Sequence, residues 1–171
     1  MLPTAVFDAL APDYDARFTQ GVLGRTLRRA VWRWLDRAFA PGQRVLELNC
    51  GSGEDAVHLA ARGVRVLATD ASPAMLDATR AKVDRAGLGR SVEIRPADIE
   101  RLDQALAGSS DLLDGAFSNF GGLNCVADLP GVARALQSAS CAIAHAWAAA
   151  AMRTRRASSA RSTAVSRASA S

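Results

Sequence analysis

Cysteine is scarce in this 171-residue chain: Cys50, Cys125 and Cys141 are odd in number and lack paired spacing, which excludes a disulfide-stapled scaffold and fits a reducing compartment. Histidine is scarcer, with only His58 and His145. No Cys-x-x-Cys pair, His cluster or convergent carboxylate group has metal-ligand spacing, and no Gly-x-Ser-x-Gly elbow is present, so metal and acyl-transfer chemistry drop out. Long apolar runs are missing too. The longest, residues 141–152, spans twelve positions and is interrupted by His145, well short of the roughly 20 that a membrane helix needs. The opening MLPTAVFDAL has neither a basic leader nor a long apolar core, so no secretion signal is read and the cytoplasm is the expected compartment. The formal charge of +4 hides an uneven distribution: residues 138–171 hold five arginines and no acid, leaving sixteen bases against seventeen acids in the rest. A nearly neutral body argues against nucleic acid as an obligatory partner, because phosphate binding wants Lys and Arg clustered on the folded surface.

The richest stretch is 44–70, RVLELNCGSGEDAVHLAARGVRVLATD. Val45, Leu46 and Leu48 make a short apolar run suited to a strand buried on both faces. A turn containing Asn49, Gly51 and Gly53 follows without a spacer, and its glycines let backbone approach a ligand closely. Glu54 and Asp55 open a helix where carboxylates suit the positive end of the dipole; Ala56, Val57, Leu59 and Ala60 supply its buried side, and Gly63 ends it. Val64, Val66 and Leu67 begin a second strand that finishes at Asp70. A carboxylate at the carboxyl edge of a parallel sheet can accept hydrogen bonds from ribose hydroxyls.

The segment Glu47, Leu48, Asn49, Cys50, Gly51, Ser52, Gly53 resembles the first motif, (D/E)-x-G-x-G-x-G, of the class I S-adenosylmethionine-dependent methyltransferases. Asn49 departs from the pattern, standing where that family usually carries its first glycine. Asparagine is the non-glycine residue that best tolerates a left-handed backbone, so the turn is expected to survive. The resemblance continues through Asp70 and Ala71 after the second strand, Asp98 and Ile99 after the third, and Asn119 and Phe120 along the fourth, covering roughly residues 14–136. It implies S-adenosyl-L-methionine as cofactor. Glu47 and Asp70 would recognise it, Gly51 and Gly53 would serve its methionine portion, Asp98 and Ile99 its adenine end, and Asn119 and Phe120 would border the methyl group. Helix capping is the other reading of Asp98. Tyr14, beside Asp15, would close over the cofactor from an amino-terminal helix, with ordinary helix packing as its alternative. The same Gly51, Gly53 and Ala56 also fit G-x-G-x-x-(G/A), which with Asp70 keeps a nicotinamide dehydrogenase fragment open as a lesser alternative. No catalytic residue is assigned.

Ahead of the turn, Phe7, Leu10, Tyr14 and Phe18, then Leu23, Leu27, Val31, Trp34, Leu35 and Ala38, recur at helical steps; both segments should bury one face, with Arg25, Arg28, Arg29, Arg33 and Arg37 on a solvated side. After Asp70, Ser72 suits a helix cap, Pro73 the first helical position and Gly87 the stop. Val92 and Ile94 mark a third strand, residues 102–106 a short helix, 112–117 a fourth strand and 129–136 a further helix. Strand and helix alternation predicts an α/β fold: a doubly wound, mostly parallel Rossmann-like sheet of about four strands, incomplete on its carboxyl-terminal side.

Three segments follow: an amino-terminal helical cap over 1–40, the cofactor-binding core over 41–137, and an Ala/Ser/Arg tail over 138–171. The tail holds 13 Ala, 8 Ser and 5 Arg in 34 residues, with no Gly, Pro or acid, a composition that cannot offset its ordering entropy. Ala, Arg and Ser share GC-rich codons, so an out-of-frame or otherwise non-native tail is expected. Complete members of the resembled family have about seven strands. The fourth strand would therefore keep an unpaired edge, so marginal stability or self-association through it is expected. The functional expectation is methyl transfer to a small-molecule acceptor, with a catalytically inactive cofactor-binding remnant as the alternative.

Overall fold

The computed structural model describes residues 4–107 and 112–139. Four parallel strands form one sheet in the order β3-β2-β1-β4: β1 (Arg44–Leu48), β2 (Arg65–Asp70), β3 (Val92–Pro96) and β4 (Gly115–Phe117). Val45 pairs with Val66 on one side and Gly115 on the other, so β1 is central and buried along its whole length. That burial is why its residues read as an apolar run rather than an alternation.

Side-chain alternation splits the core in two. Val45, Val66 and Ala68 point to one face, where they meet Ala56, Leu59 and Ala60 of α3 (Glu54–Ala61), Leu76 and Val83 of α4 (Pro73–Arg85), and Leu35 of α2 (Val22–Ala38). Leu46, Leu48 and Leu67 point to the other, against Leu102 and Leu106 of α5 (Leu102–Leu106) and Val132 of α6 (Leu129–Ala139). Helices on both faces of a parallel sheet make the expected doubly wound α/β architecture. The chain leaves β3 at one edge and returns as β4 on the far side of β1, so the strand order reverses between β1 and β4. Ligands bind at the carboxyl ends of strands at such a reversal.

Local signals behave as read. Ser72 Oγ accepts from Met75 N at 3.2 Å, capping α4, and Pro73 opens it. Gly63 and Gly87, at φ +84° and +67°, follow α3 and α4. The amino-terminal region is helical from α1 (Thr4–Leu10) through a tight turn to a wide one at Asp15–Thr19, and then α2.

Four expectations need correcting. In α2 only Leu35 is fully buried and Val31 and Trp32 are partly buried against the same core, while Leu23 and Trp34 are 72% and 71% exposed, because the helix touches the sheet domain along a narrow line. Arg28 is not on the solvated side; it points inward to the carboxyl rim. The fourth strand starts at Gly115 rather than 112, since pairing to β1 begins there. Helix α6 runs to Ala139, past the expected tail boundary at 138, with Ser138 Oγ donating to Arg134 O at 3.0 Å. The remainder of the tail lies outside the described residues.

Candidate cofactor-binding site

The carboxyl ends of the strands open into one cavity. Glu47 from β1, Asn49 and Gly51 from the following turn, and Asp70 and Ala71 from the end of β2 all line it. Asp98 and Ile99 enter after β3, Asn119 and Phe120 after β4, and Tyr14 from the amino-terminal region. Residues scattered over more than a hundred positions thus meet at one rim.

Gly53 is the exception. At φ +75°, a Cβ there would lie 2.5 Å from Thr79 Cγ2, so its missing side chain serves the close packing of the turn on α4. Gly51, at φ +56°, has nothing within 4 Å of its Cβ position and lines the cavity. Asn49 adopts φ 55°, the left-handed conformation anticipated for it, and its Nδ2 donates to Gly122 O at 2.9 Å.

Asp70 is fixed by backbone. Its Oδ2 accepts from Gly51 N and its Oδ1 from Ser72 N, each at 2.9 Å, so the end of β2 holds the glycine turn and the start of α4 together. Burial raises its pKa, against the pull of these amides. Burial pushes Glu47 well above the usual carboxylate range, with the nearby Asp55 and Asp70 carboxylates adding to the rise and Arg28 opposing it. Glu47 Oε2 and Arg28 Nε are buried and have no hydrogen-bond partner. Asp98 lines the cavity and caps the following turn, accepting from Glu100 N at 3.0 Å. Burial also raises Tyr14 and, strongly, the Cys50 thiol, which packs beside Thr79 as a small apolar filler.

The amino-terminal region straps over this cavity. Asp8 accepts from Ser72 Oγ at 2.5 Å; Asp15 accepts from Ser52 Oγ at 2.5 Å and from Lys82 Nζ at 2.7 Å, and the same ammonium reaches Glu54 at 2.5 Å. Phe7 and Tyr14 then face the cavity from above. Sequence reasoning missed Phe7, Arg28 and Asp55. Arg28 Nη1 donates to Asp55 Oδ1 at 2.7 Å and its guanidinium lies 4.4 Å over the Phe120 ring, contacts set by the docking of α2 and invisible to helical periodicity.

A parallel sheet whose carboxyl rim gathers a glycine turn and three strand-end carboxylates is the architecture of an enzyme that uses a nucleoside cofactor. Residues 45–146 match the family described as "Methyltransferase domain", and the chain belongs to this family of class I S-adenosylmethionine-dependent methyltransferases. Among curated relatives, the chain is 38% identical over 84 residues to a ribosomal protein L11 methyltransferase from Symbiobacterium thermophilum, covering 47% of this chain and 25% of that protein. It is 37% identical over 78 residues to a ubiquinone biosynthesis O-methyltransferase from Hahella chejuensis, covering 46% and 32%. The match thus spans about a quarter to a third of these relatives' lengths. Among solved structures, the "DhpI-SAH complex" superposes with a TM-score of 0.61 at 26% identity, covering 80% of this chain and 61% of that one. The family match falls on the methyltransferase reading of the glycine turn rather than on the dehydrogenase reading. S-adenosylmethionine is the family's cofactor.

Proposed function

We propose that this chain holds S-adenosyl-L-methionine at the rim of β1, β2 and β4 and directs its methyl group to a small-molecule acceptor. The observation that carries the reading is the convergence of Glu47, Asp70 and Asp98 on one cavity beside the glycine turn. The residues present fit the cofactor. Gly51 leaves room where a Cβ would stand, and the unpartnered Glu47 Oε2 and Arg28 Nε offer an acceptor and a cationic donor, suited to an ammonium and a carboxylate. When bound, the cofactor supplies a methyl group activated on a sulfonium. The chain's own part would be placement: Asp70 would offer its remaining lone pairs to the ribose hydroxyls, while Asp98 and Ile99 would flank the adenine. Asn119 and Phe120 border the methyl position, and Phe7 and Tyr14 exclude water from above. In-line displacement gains most from this positioning.

A small acceptor is favoured by the nearly neutral body and by the likeness to the ubiquinone-biosynthesis relative. No helix among the described residues is long and apolar enough to cross a membrane. The odd, unpaired cysteine spacing favours a cytoplasmic setting. Calorimetric titration with S-adenosylmethionine, followed by a transfer screen with methyl-labelled cofactor, tests the reading. Expected are saturable binding and label on a small acceptor; binding without transfer to any acceptor would leave a cofactor-binding remnant. Asp70→Ala should weaken binding by about 1–3 kcal/mol, the cost of removing a buried charged acceptor. Unchanged affinity would remove Asp70 from the site.

A further inference from the structure

Asp55 stands at the second position of α3 and is 2% exposed, yet its carboxylate binds three side chains from two other segments. Oδ1 accepts from Arg28 Nη1 at 2.7 Å and from Trp32 Nε1 at 2.8 Å; Oδ2 accepts from Asn119 Nδ2 at 2.8 Å. Arg28 arrives from α2 and Asn119 from the loop after β4, and both line the cavity. The guanidinium over Phe120 closes the ring of contacts. Trp32 lies behind this ring. It is not part of the cavity wall; its indole stacks on His58 with centroids 4.2 Å apart and planes 5° from parallel, and its N–H points at Asp55.

We infer that Asp55 is a positioning residue for the cofactor cavity, setting Arg28 and Asn119 in its wall through one carboxylate that accepts from both. This rests on the proposed cofactor reading and deepens it. Nothing in the first motif calls for an acid here, because the glycine turn ends before it. The need arises only when α2 and the loop after β4 approach α3 from two sides. An Arg alone could rotate away from Phe120, and an Asn alone could flip its amide. Each is held because Asp55 spends a separate oxygen on it, and Trp32 fixes the rotamer of Asp55 by taking the second direction on Oδ1.

Trp32 supplies a test that touches no ligand position. Trp32→Phe keeps an aromatic ring against His58 while removing the donor to Asp55 and part of the indole's volume, a loss that the thermal melt reads separately. Binding of S-adenosylhomocysteine to the full chain is measured calorimetrically for the wild type, Trp32→Phe, Asp55→Asn, Asn119→Ala and the Asp55→Asn/Asn119→Ala pair, beside a thermal melt of each. Expected are a loss of about threefold for Trp32→Phe and about tenfold for Asp55→Asn, the scale of one weakened or lost charge-assisted hydrogen bond. The double variant should lose far less than the product of its two single losses, because both act through one contact. Should Asp55→Asn fail to fold, Trp32→Phe alone decides. Variants that melt earlier but bind as the wild type does would reduce Asp55 to a stabilising contact and overturn the inference, as would multiplicative losses in the pair. If the wild type binds neither S-adenosylhomocysteine nor S-adenosylmethionine, the cofactor reading falls and takes this inference with it.

Discussion

Gly51 and Gly53 look equivalent in the motif, and the structure separates them. Gly51→Ala pays for its left-handed backbone with about 1–2 kcal/mol of stability, and its methyl group enters the cofactor cavity, so affinity should fall steeply while the fold survives. Gly53→Ala meets Thr79 as well as the backbone strain and should cost about 2–5 kcal/mol of stability. Urea melts and calorimetry on the two variants read the contrast directly; equal effects on both measures would refute it. Glu47 carries the pH dependence. Because the folded chain keeps its proton above the ordinary value of 4.5 while the unfolded chain loses it, stability is fullest below that value and drains away as pH climbs toward the raised one. Asp70 adds in the same direction. Asp15 and Glu93, held low by Lys82 and by Arg95 and Arg44, act oppositely and lose their contribution only in acid. Glu47→Gln should therefore flatten the decline of the urea midpoint as pH rises above the ordinary value of 4.5, and an unaltered slope would contradict the assignment. At this scale the turn was legible in the sequence because Asn49, Gly51 and Asp70 act within a few residues or one strand spacing of each other. Arg28 was not, because its partner Asp55 lies across a helix-helix contact that a periodicity argument on α2 alone cannot see.

Among elements, β1, α3, β2 and α4 were legible for the same local reason: apolar runs, a cap at Ser72, and stops at Gly63 and Gly87. Helix α2 shows where such reading ends. Its apolar spacing is real, but spacing states which residues share a face and not how much of that face a neighbour covers. Leu35 alone is fully buried, with Val31 and Trp32 partly buried beside it. Leu35→Ala should accordingly cost about 2–5 kcal/mol, as for other buried leucines, whereas Leu23→Ala, on the exposed part of the same helix, should stay within about 0.5 kcal/mol. Comparable losses at both positions, measured by urea unfolding, would show that α2 packs along a broader face than the narrow line described here.

On the scale of the whole molecule, the described sheet ends at β4, which pairs with β1 and with no other described strand. A strand edge of this kind offers free backbone groups to another chain. Sedimentation velocity over a concentration series should show larger species growing as concentration rises, and a single species of constant size would dispose of that expectation. The division of the core into two faces was readable from alternation within β1 and β2; the meeting of the cap, α3 and the loop after β4 was not, since it depends on how distant segments dock. One side chain makes that docking firmer than the usual motif would. Where glycine is customary, Asn49 accepts a strained backbone and in return ties the floor of the site to the carbonyl of Gly122. Cutting that tether with Asn49→Gly would relax the backbone of the turn yet release it from the loop after β4.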